Sequence, residues 1–264
     1  DRLRAMARMA RVVVPGVPHH VTQRGNRRQT TFFEDGDYEI YKSLMAEWCL
    51  SQGVEVWAYC LMPNHVHLIV VPSTEQALRA AIAEAHRRYT VVVNARKGWT
   101  GCLWQGRFAS CPRAPGHLYK GVQYVELNPV RAGLVGTPED WPHSSARAHL
   151  SGRHDGLVEP AALLERFGDW RQVLSAGASP EALEEIRLHE RTGRPLGDAA
   201  FVRRLEAAAG RPLRPKKPGR RPGRAHPQAS QEERPTGLSQ AGPPSPPGSR
   251  PEQSPAPSPL PTTP

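Results

Sequence analysis

The chain has 264 residues, a formal net charge of +10 and four widely spaced cysteines. This length suffices for one or two domains with a buried core. The cysteines form no C-x-x-C pair, which argues against a zinc knuckle or a disulfide framework and fits a reducing cytoplasm. The apolar runs are shorter than a membrane span and no signal-peptide pattern is present, so we expect a soluble, unsecreted, cytoplasmic protein without a membrane partner, with Met6 or Met9 as a candidate natural start.

Much of the positive charge lies at the C-terminal end. Residues 211–264 contain nine Lys or Arg, three Asp or Glu, 16 of the 28 prolines and no aromatic residue. Such a segment buries too little apolar surface to offset the entropy of ordering, so a disordered, basic, Pro-rich tail is predicted. The tail acts either as a mobile arm that contacts phosphates or as a solubilising segment. The basic balance of the whole chain favours a polyanionic partner such as nucleic acid.

The first half of the chain alternates between strand and helix patterns. Residues 19–24 read as a strand followed by a basic turn, and residues 37–53 as a helix. The predicted helix has an apolar stripe of Ile40, Leu44 and Trp48, a cap at Asp35 or Asp37, and an end at Gly53. Two β-rich runs, residues 54–61 and 65–71, flank the tight turn MPN and predict a hairpin.

Helix and strand patterns continue beyond the hairpin. A second helix starts at Ser73 or Thr74 and stops at Gly98; its buried face is predicted to be Leu78, Ile82, Ala85 and Tyr89. Residues 102–110 suggest another strand. Residues 117–127 suggest a third helix, which the pair Asn128 and Pro129 would end.

The order β-α-β-β-α-β-α predicts an α+β protein with a ferredoxin- or RRM-like split β-α-β antiparallel sheet and helices on one face. The other face would be free for a ligand. We predict three segments: residues 9–150, residues 151–210 as a small helical appendage, and the tail 211–264. Within the appendage, Ser179 and Asp198 are predicted helix caps.

Two histidines occupy alternate positions at the start of the second hairpin strand, in the motif PNHVH. Residues i and i+2 of a strand point to the same side, so His65 and His67 project together while Val66 points to the helix-covered face. Two imidazoles roughly 7 Å apart along a strand can converge on one divalent ion. By itself such a pair on a strand is more often structural or solvent-facing than metal-binding.

A tyrosine and an asparagine share one side of the third helix. The apolar stripe is Leu118, Val122 and Val125, and Tyr124 lies roughly 120° from its centre, which predicts a position outside the core. Asn128 follows four residues later on a similar side. Tyr124 is either a surface residue or part of a site, and Asn128 is either a helix terminator or a polar ligand.

Five segments together resemble a known family. They are VPGVPHHVTQRGNRR, LMPNHVHLIV, LWQGRF, YVELNPVRAGLV and WPHSSARAHL, in this order. The resemblance is to the REP-associated tyrosine transposases, a branch of the single-tyrosine HUH endonucleases, and it extends from about residue 10 to about residue 210. It implies the HUH endonuclease fold for residues 9–150. The family pattern has His in the TGHLW stretch, where this chain has Cys102.

The resemblance also implies a function. It assigns Mg²⁺ or Mn²⁺ to His65, His67 and Asn128, and the role of nucleophile to Tyr124. The implied activity is DNA nicking and strand transfer on single-stranded or hairpin DNA (REP-like repeats), through a 5′-phosphotyrosine intermediate and without a small organic cofactor. A monomer is favoured over a dimer.

Six arginines are candidates for DNA contact, because they are clustered or lie near aromatic residues. They are Arg24, Arg27, Arg28, Arg87, Arg88 and Arg107. Each is also compatible with a solvated surface position. The main alternative function is a domesticated relative that binds folded DNA repeats without cutting them. An RNA-binding protein of similar topology is disfavoured, because the strands lack interleaved aromatic residues.

Overall fold

The computed structural model describes residues 10–215, and residues 1–9 and 216–264 lie outside the described part. The predicted start at Met6 or Met9 and the predicted disorder of the tail from residue 216 onward therefore fall outside it. The elements are β1 (His19–Arg24), α1 (Asp35–Ser51), β2 (Val54–Met62), β3 (His65–Pro72), α2 (Ala77–Lys97), β4 (Ala109–Pro112), α3 (Pro115–Glu126), α4 (Asn128–Arg131), α5 (Ala146–Ser151), α6 (Ala161–Phe167), α7 (Trp170–Ser175), α8 (Pro180–Thr192) and α9 (Ala199–Ala209).

The four strands form one antiparallel sheet in the order β2-β3-β1-β4. The predicted hairpin is present: β2 and β3 pair through a turn at Pro63 and Asn64, with Met62 opposite His65. The helix α1 connects β1 to β2, and α2 connects β3 to β4. This is the ferredoxin-like split β-α-β arrangement, and the predicted α+β fold class is confirmed.

The helices α1 and α2 cover one face of the sheet. Strand residues Val66, Leu68 and Val70 belong to the same buried cluster as apolar residues of both helices. The predicted face of α2 is buried throughout: Leu78, Ile82, Ala85 and Tyr89. The helix ends at Gly98, which adopts a left-handed conformation with φ 63°. A residue with a Cβ is disfavoured in that conformation, so glycine fits this position.

The buried stripe of α1 differs from the predicted one. The helix itself begins near the predicted cap, but its buried apolar residues are Tyr38, Tyr41, Met45 and Cys49 instead of Ile40, Leu44 and Trp48. The ring of Phe32 stacks on Tyr38 at 4.4 Å and meets Tyr41 edge-on at 5.4 Å. Apolar residues of α1 occur on several sides of the helix, and packing against Phe32 determines which of them face the core.

The second face of the sheet is partly covered as well, and here the expectation of helices on one face only is corrected. Leu118, Val122 and Val125 of α3 are fully buried, as their spacing predicted, and they pack on the β2 and β3 side of this face. Apolar strand residues such as Ile69 point to this face, and α3 shields them from water. The β1 and β3 positions next to this apolar area carry His20 and His67.

The last strand and the end of α3 also depart from prediction. The ladder of β4 spans only Ala109–Pro112, whereas residues 102–110 were predicted; upstream, Trp104 makes an isolated bridge to Gly25. Gly106 has φ 60°, which interrupts an extended chain. The helix α3 ends at Glu126, and Asn128 and Pro129 then begin the single turn α4. Proline is tolerated there because the first N–H groups of a helix have no intrahelical acceptor.

The C-terminal helices are attached to the sheet domain by buried contacts. Ser179 and Asp198 cap α8 and α9, as predicted, through hydrogen bonds from Ala182 N at 3.3 Å and Phe201 N at 2.7 Å. Leu213 is buried in a cluster with residues of α9 and of the chain before β1. In the described part, no helix combines the length and apolarity that a membrane crossing requires.

A buried carboxylate joins α3 to the later helices. Glu126 and His149 are both inaccessible to solvent, and Glu126 Oε1 accepts a hydrogen bond from His149 Nδ1 at 2.6 Å. Ser145 Oγ donates to the same oxygen at 2.5 Å, and Trp170 Nε1 donates to Oε2 at 2.8 Å. These bonds fix the end of α3 against α5 and α7.

Replacing His149 by alanine is expected to destabilise the protein by about 3 kcal/mol, because a buried carboxylate would lose a charge-assisted partner. The free energy of unfolding would be measured by urea titration. The control is His154→Ala, since His154 is exposed and its loss should change stability by less than about 0.5 kcal/mol. Equal stability of the two variants would contradict the role assigned to this contact.

Candidate functional site

The second face of the sheet brings together polar side chains from two neighbouring strands. In the antiparallel register, His20 of β1 lies opposite Ile69 of β3, and Thr22 lies opposite His67. Paired residues share a face, so His20 and His67 emerge on the same side as the apolar cover of α3. His20 Nε2 lies 3.0 Å from His67 Nδ1, and both rings are buried.

His65 lies beside His67 on the same face, as predicted. Their ring centroids are 5.0 Å apart. Asn64 Nδ2 donates to the carbonyl of Arg28 at 3.1 Å, which orients Asn64 Oδ1 toward His65 Nδ1 at 2.6 Å. Because that oxygen can only accept, His65 carries its proton on Nδ1, and Nε2 is the nitrogen with a free lone pair. Burial lowers the pKa of His65 to about 2, which keeps the ring neutral.

Tyr124 reaches the two buried histidines from α3. It lies outside the apolar stripe of the helix, as predicted, yet it is only 7% exposed. Its ring centroid is 5.6 Å from that of His67 and 5.8 Å from that of His20. Arg131 lies over the tyrosine ring, 4.4 Å from its centroid.

The hydroxyl of Tyr124 donates to a carboxylate from the C-terminal helices. The acceptor is Glu190 Oε2 of α8, at 3.3 Å. Burial raises the pKa of Tyr124 and the charge of Glu190 raises it further, whereas Arg131 and Arg187 act in the opposite direction. Tyr124 is therefore a neutral phenol in this arrangement.

Glu190 also contacts both buried histidines. Its Oε1 atom lies 3.2 Å from His20 Nε2 and 3.4 Å from His67 Nδ1. Burial alone would raise the pKa of Glu190, but contacts with His20, His67 and Arg113 outweigh it and lower the pKa to about 2. The carboxylate is therefore ionised at neutral pH.

A buried arginine lies behind His20. Arg113 is inaccessible to solvent, and its Nη2 lies 2.5 Å from His20 Nδ1. Burial lowers the pKa of Arg113, and Glu190 is among the groups that counteract this effect. Gly121 of α3 makes room for the arginine side chain, since a Cβ at that position would lie 3.1 Å from Arg113 Cδ.

These contacts define a group with the donor chemistry of a divalent metal site. Ligand atoms of His20, His67 and Glu190 all lie within 4.8 Å of one another. Two imidazoles and a carboxylate are common ligands of such ions. This group shares only His67 with the predicted set of His65, His67 and Asn128.

Asn128 stands at the first residue of α4. Its Nδ2 atom is buried, and within the described chain it has no hydrogen-bond partner. The backbone carbonyl of Asn128 accepts a bond from Ala132 N at 3.0 Å, so the main chain is helical here. The metal-binding role of Asn128 stays a prediction.

An arginine-lined cleft opens beside Glu190. It has a volume of about 330 Å³, and its walls include Arg24 from β1, Arg107 before β4, and Arg187 and Arg191 from α8. Two of these residues, Arg24 and Arg107, were predicted as DNA contacts; the two from α8 were not. Four cationic side chains around one cleft form a surface suited to phosphate groups.

The other predicted arginines lie elsewhere. Arg27 and Arg28 are exposed in the single-turn 3-10 helix after β1, both with positive φ. Arg87 and Arg88 lie in the middle of α2, and both contact Glu84. Because α2 covers the face opposite His67, these two residues are remote from the histidines.

Sequence reasoning missed His20, Arg113 and Glu190 of the buried polar group. His20 could have been found, because it alternates correctly with Thr22 in the first strand of a predicted sheet. Arg113 and Glu190 carry no local signal: one follows a short strand, and the other lies in a helix of ordinary charged composition. Their positions depend on where α8 packs.

Comparisons with known proteins show which proteins the chain resembles. Residues 14–128 match the family described as "Transposase IS200 like". A putative REP-associated tyrosine transposase of Haemophilus influenzae is 28% identical over 116 residues, or 40% of this chain. A REP-associated tyrosine transposase of Escherichia coli is 22% identical over 109 residues, or 41% of this chain. The matches span 66% and 64% of the length of these two relatives.

A solved structure of a REP-associated tyrosine transposase bound to a REP hairpin is also similar, with 22% identity and a TM-score of 0.49. The match covers 58% of this chain and 90% of that one. Glu190 and α8 lie beyond the segment that matches the family. Residues 14–128, which carry His20, His65, His67 and Tyr124, are thus the part of the chain that is similar to the IS200-like transposases.

Proposed function

We propose that this protein is a metal-dependent transposase that nicks single-stranded or hairpin DNA and transfers the cut strand through a covalent bond to Tyr124. The observation that carries the proposal is the meeting of Tyr124, from α3, with His67, from β3, at a ring distance of 5.6 Å. A nucleophile and a ligand pair on different elements converge on one sheet face. The family match and the resemblance to REP-associated tyrosine transposases support the same reaction class.

His65 and His67 fit the Mg²⁺ or Mn²⁺ that the family implies. His65 is neutral, its Nδ1 proton is engaged by Asn64, and its Nε2 is available as a ligand atom. The 5.0 Å separation of the two rings suits two imidazoles that share one ion. A bound divalent ion would neutralise phosphate charge and polarise the scissile phosphodiester.

The reaction would exchange one phosphodiester bond for another. Tyr124 Oη bonds to the phosphorus, the bond from phosphorus to O3′ breaks, and the product is a 5′-phosphotyrosine with a free 3′-hydroxyl. The phenol proton leaves Tyr124 as the bond forms, and the departing oxygen gains a proton. A 3′-hydroxyl of another DNA end can then attack the phosphotyrosine and release Tyr124, so strands are joined without ATP.

The environment of Tyr124 fits a nucleophile that is held inactive until DNA and a cation arrive. Burial and the charge of Glu190 both favour the protonated phenol. Additional positive charge near Oη would favour the phenolate. Arg131 already supplies one cation over the ring.

The arginine-lined cleft would hold the DNA backbone next to the nucleophile. Arg24, Arg187 and Arg191 line it together with Glu190, the residue that accepts the Tyr124 hydroxyl bond. A strand in this cleft would therefore present a phosphate near Tyr124. Single-strand binding of this kind rests on ionic contacts to phosphates.

Tyr124→Phe is expected to abolish the covalent adduct and leave hairpin binding intact, because only the attacking oxygen is removed. The assay is a denaturing gel of protein with single-stranded hairpin oligonucleotides and Mn²⁺. The matched control is Tyr119→Phe in the same helix, whose hydroxyl donates to the Val173 carbonyl instead. An adduct in Tyr124→Phe would refute the assignment of Tyr124 as the nucleophile. Hairpin binding without any adduct in the wild type would favour the alternative function, a protein that binds folded DNA repeats without cutting them.

His65→Ala is expected to abolish adduct formation at Mn²⁺ concentrations that saturate the wild type, because one of the two proposed ligands is lost. Hairpin binding in chelator should be unchanged. Direct Mn²⁺ titration by electron paramagnetic resonance would measure the affinity, with His154→Ala as the exposed-histidine control. Wild-type adduct yield in excess chelator would rule out a metal role.

Arg24→Ala is expected to lower the affinity for hairpins of every sequence. It should also reduce the slope of log affinity against log salt concentration by about one unit, because one phosphate contact is lost. The control is Arg87→Ala on the opposite face, which should leave the slope unchanged. Fluorescence anisotropy at several salt concentrations measures both. Equal slopes for the two variants would place the DNA elsewhere.

A further inference from the structure

We propose that a cavity on the α2 side of the sheet binds an unpaired nucleobase of the DNA strand whose backbone lies in the arginine-lined cleft. This inference deepens the proposed function and rests on it. The cavity has a volume of about 310 Å³, and its walls include Gln23, Arg79, His86, Trp104 and Arg107. We call it the rear pocket. Its size is that of a small-molecule site, which suits one base and excludes a duplex.

The edge of the sheet is irregular where the rear pocket lies. Thr22 pairs with Ala109, whereas Gly25 bridges to Trp104. Two residues separate these pairs on β1 and four on the other strand, so residues 105–108 form a bulge with 4 − 2 = 2 extra residues. Bulges redirect side chains and are frequent next to functional sites. This bulge contributes walls to the rear pocket on one side and to the arginine-lined cleft on the other.

The rear pocket and the arginine-lined cleft share two walls, Gln23 and Arg107. The cleft lies on the side of Tyr124, and the rear pocket lies on the side of α2. One DNA strand can therefore keep its backbone in the cleft and place a neighbouring base in the rear pocket. Proteins that bind single strands combine a cationic groove with contact sites for bases in this way.

The interior of the rear pocket carries neutral polar groups. Gln23 is 4% exposed, and its Nε2 donates to the Gly106 carbonyl at 3.2 Å, which leaves Oε1 as an acceptor. The His86 ring is buried, and its Nε2 lies 2.9 Å from Tyr41 Oη, which leaves Nδ1 for a ligand. Burial lowers the pKa of His86 to about 3, so the ring is uncharged at neutral pH. Amide and imidazole groups suit the hydrogen-bonding edge of a base.

Planar side chains form other walls of the rear pocket. Trp104 stacks on His86 at a centroid distance of 4.7 Å, and its Nε1 donates to the His86 carbonyl at 3.3 Å. The guanidinium of Arg11 lies over the Phe108 ring, 3.5 Å from the ring centroid. Nucleobases stack on aromatic rings and on guanidinium planes. A flat base therefore matches these walls.

The rim of the rear pocket is cationic. Arg79 and Arg107 are both exposed, and Arg79 makes no ion pair within the described chain. Arg79, Ala83 and His86 line the pocket from one side of α2, since their spacing is i, i+4 and i+7. Neutral polar groups inside and positive charge at the rim fit a ligand with a neutral ring and an anionic linkage. A nucleotide has this distribution of charge.

An abasic scan of the DNA tests the rear pocket in the wild-type protein. The probes are hairpins with a single-stranded extension of about eight nucleotides at the 5′ or the 3′ end, a length within the site sizes of single-strand binders. Binding is measured by fluorescence anisotropy in chelator. Removal of the base at one position should lower the affinity about 5- to 150-fold, the loss expected for one stacked base. An extension with no such position would overturn the proposal.

Variants locate the effect. Ala83→Trp should fill the rear pocket from an exposed position of α2, so it should bind the intact probe as weakly as the wild type binds the abasic one. Abasic substitution should then cause no further loss. Ala95→Trp, at another exposed position of the same helix, should behave as the wild type. A full abasic effect in Ala83→Trp would contradict the inference. Weaker binding in Arg79→Ala without any abasic effect would indicate a phosphate site instead of a base site.

A photocrosslink locates the base without any variant. 5-Iodouracil at the position found by the scan should crosslink, on irradiation of the wild-type complex, to Trp104, Phe108 or His86. Peptide mass spectrometry identifies the residue. Crosslinks confined to residues outside the rear pocket would place the base elsewhere and reject the inference.

These outcomes are separate from those of the proposed function, because binding and crosslinking require neither metal nor cleavage. A base held in the rear pocket of a protein that never forms a tyrosine adduct would retain this inference and reject the transposase reaction. An adduct formed by the wild type with no abasic effect would retain the reaction and reject the pocket.

Discussion

The alternation of side chains along β1 and β3 is the constraint on which the rest of the structure depends. Because successive residues point to opposite faces, the apolar residues Val66, Leu68 and Val70 bind the sheet to α1 and α2, while His65 and His67 emerge on the other face. The antiparallel register then brings His20 next to His67. A slip of β3 by one residue would turn His65 and His67 toward the face that α1 and α2 cover.

One part of the face that carries the histidines is covered by apolar packing, and the part beside it holds the polar side chains of the candidate site. The apolar stripe of α3 covers the half nearest β2, and this contact sets where Tyr124 lies. Glu126, at the end of the same helix, is fixed by His149 and Trp170. Tyr124 is therefore held by buried contacts on both sides, and positional accuracy of this kind is what a nucleophile requires.

The C-terminal helices extend the site beyond the segment that matches the transposase family. The helix α8 contributes Glu190 to the buried polar group, and Arg187 and Arg191 to the cleft beside it. The predicted helical appendage, residues 151–210, therefore contacts residues of the segment 9–150. Arg113, His20 and Glu190 lie together in this buried group, with Arg113 Nη2 2.5 Å from His20 Nδ1 and Glu190 Oε1 3.2 Å from His20 Nε2.

The sequence by itself determined the strand and helix order, the core face of α2 and α3, and the shared direction of His65 and His67, because these follow from periods of 2 and 3.6 residues within one element. It also separated Tyr124 from the apolar stripe. The stripe of α1, the shortened β4 and the cover on the second face were decided by tertiary packing, which chooses among several apolar residues. Only the tertiary structure brought Glu190 and Arg113 to His20, since residues distant in sequence meet through the docking of α8, and no local pattern encodes that contact.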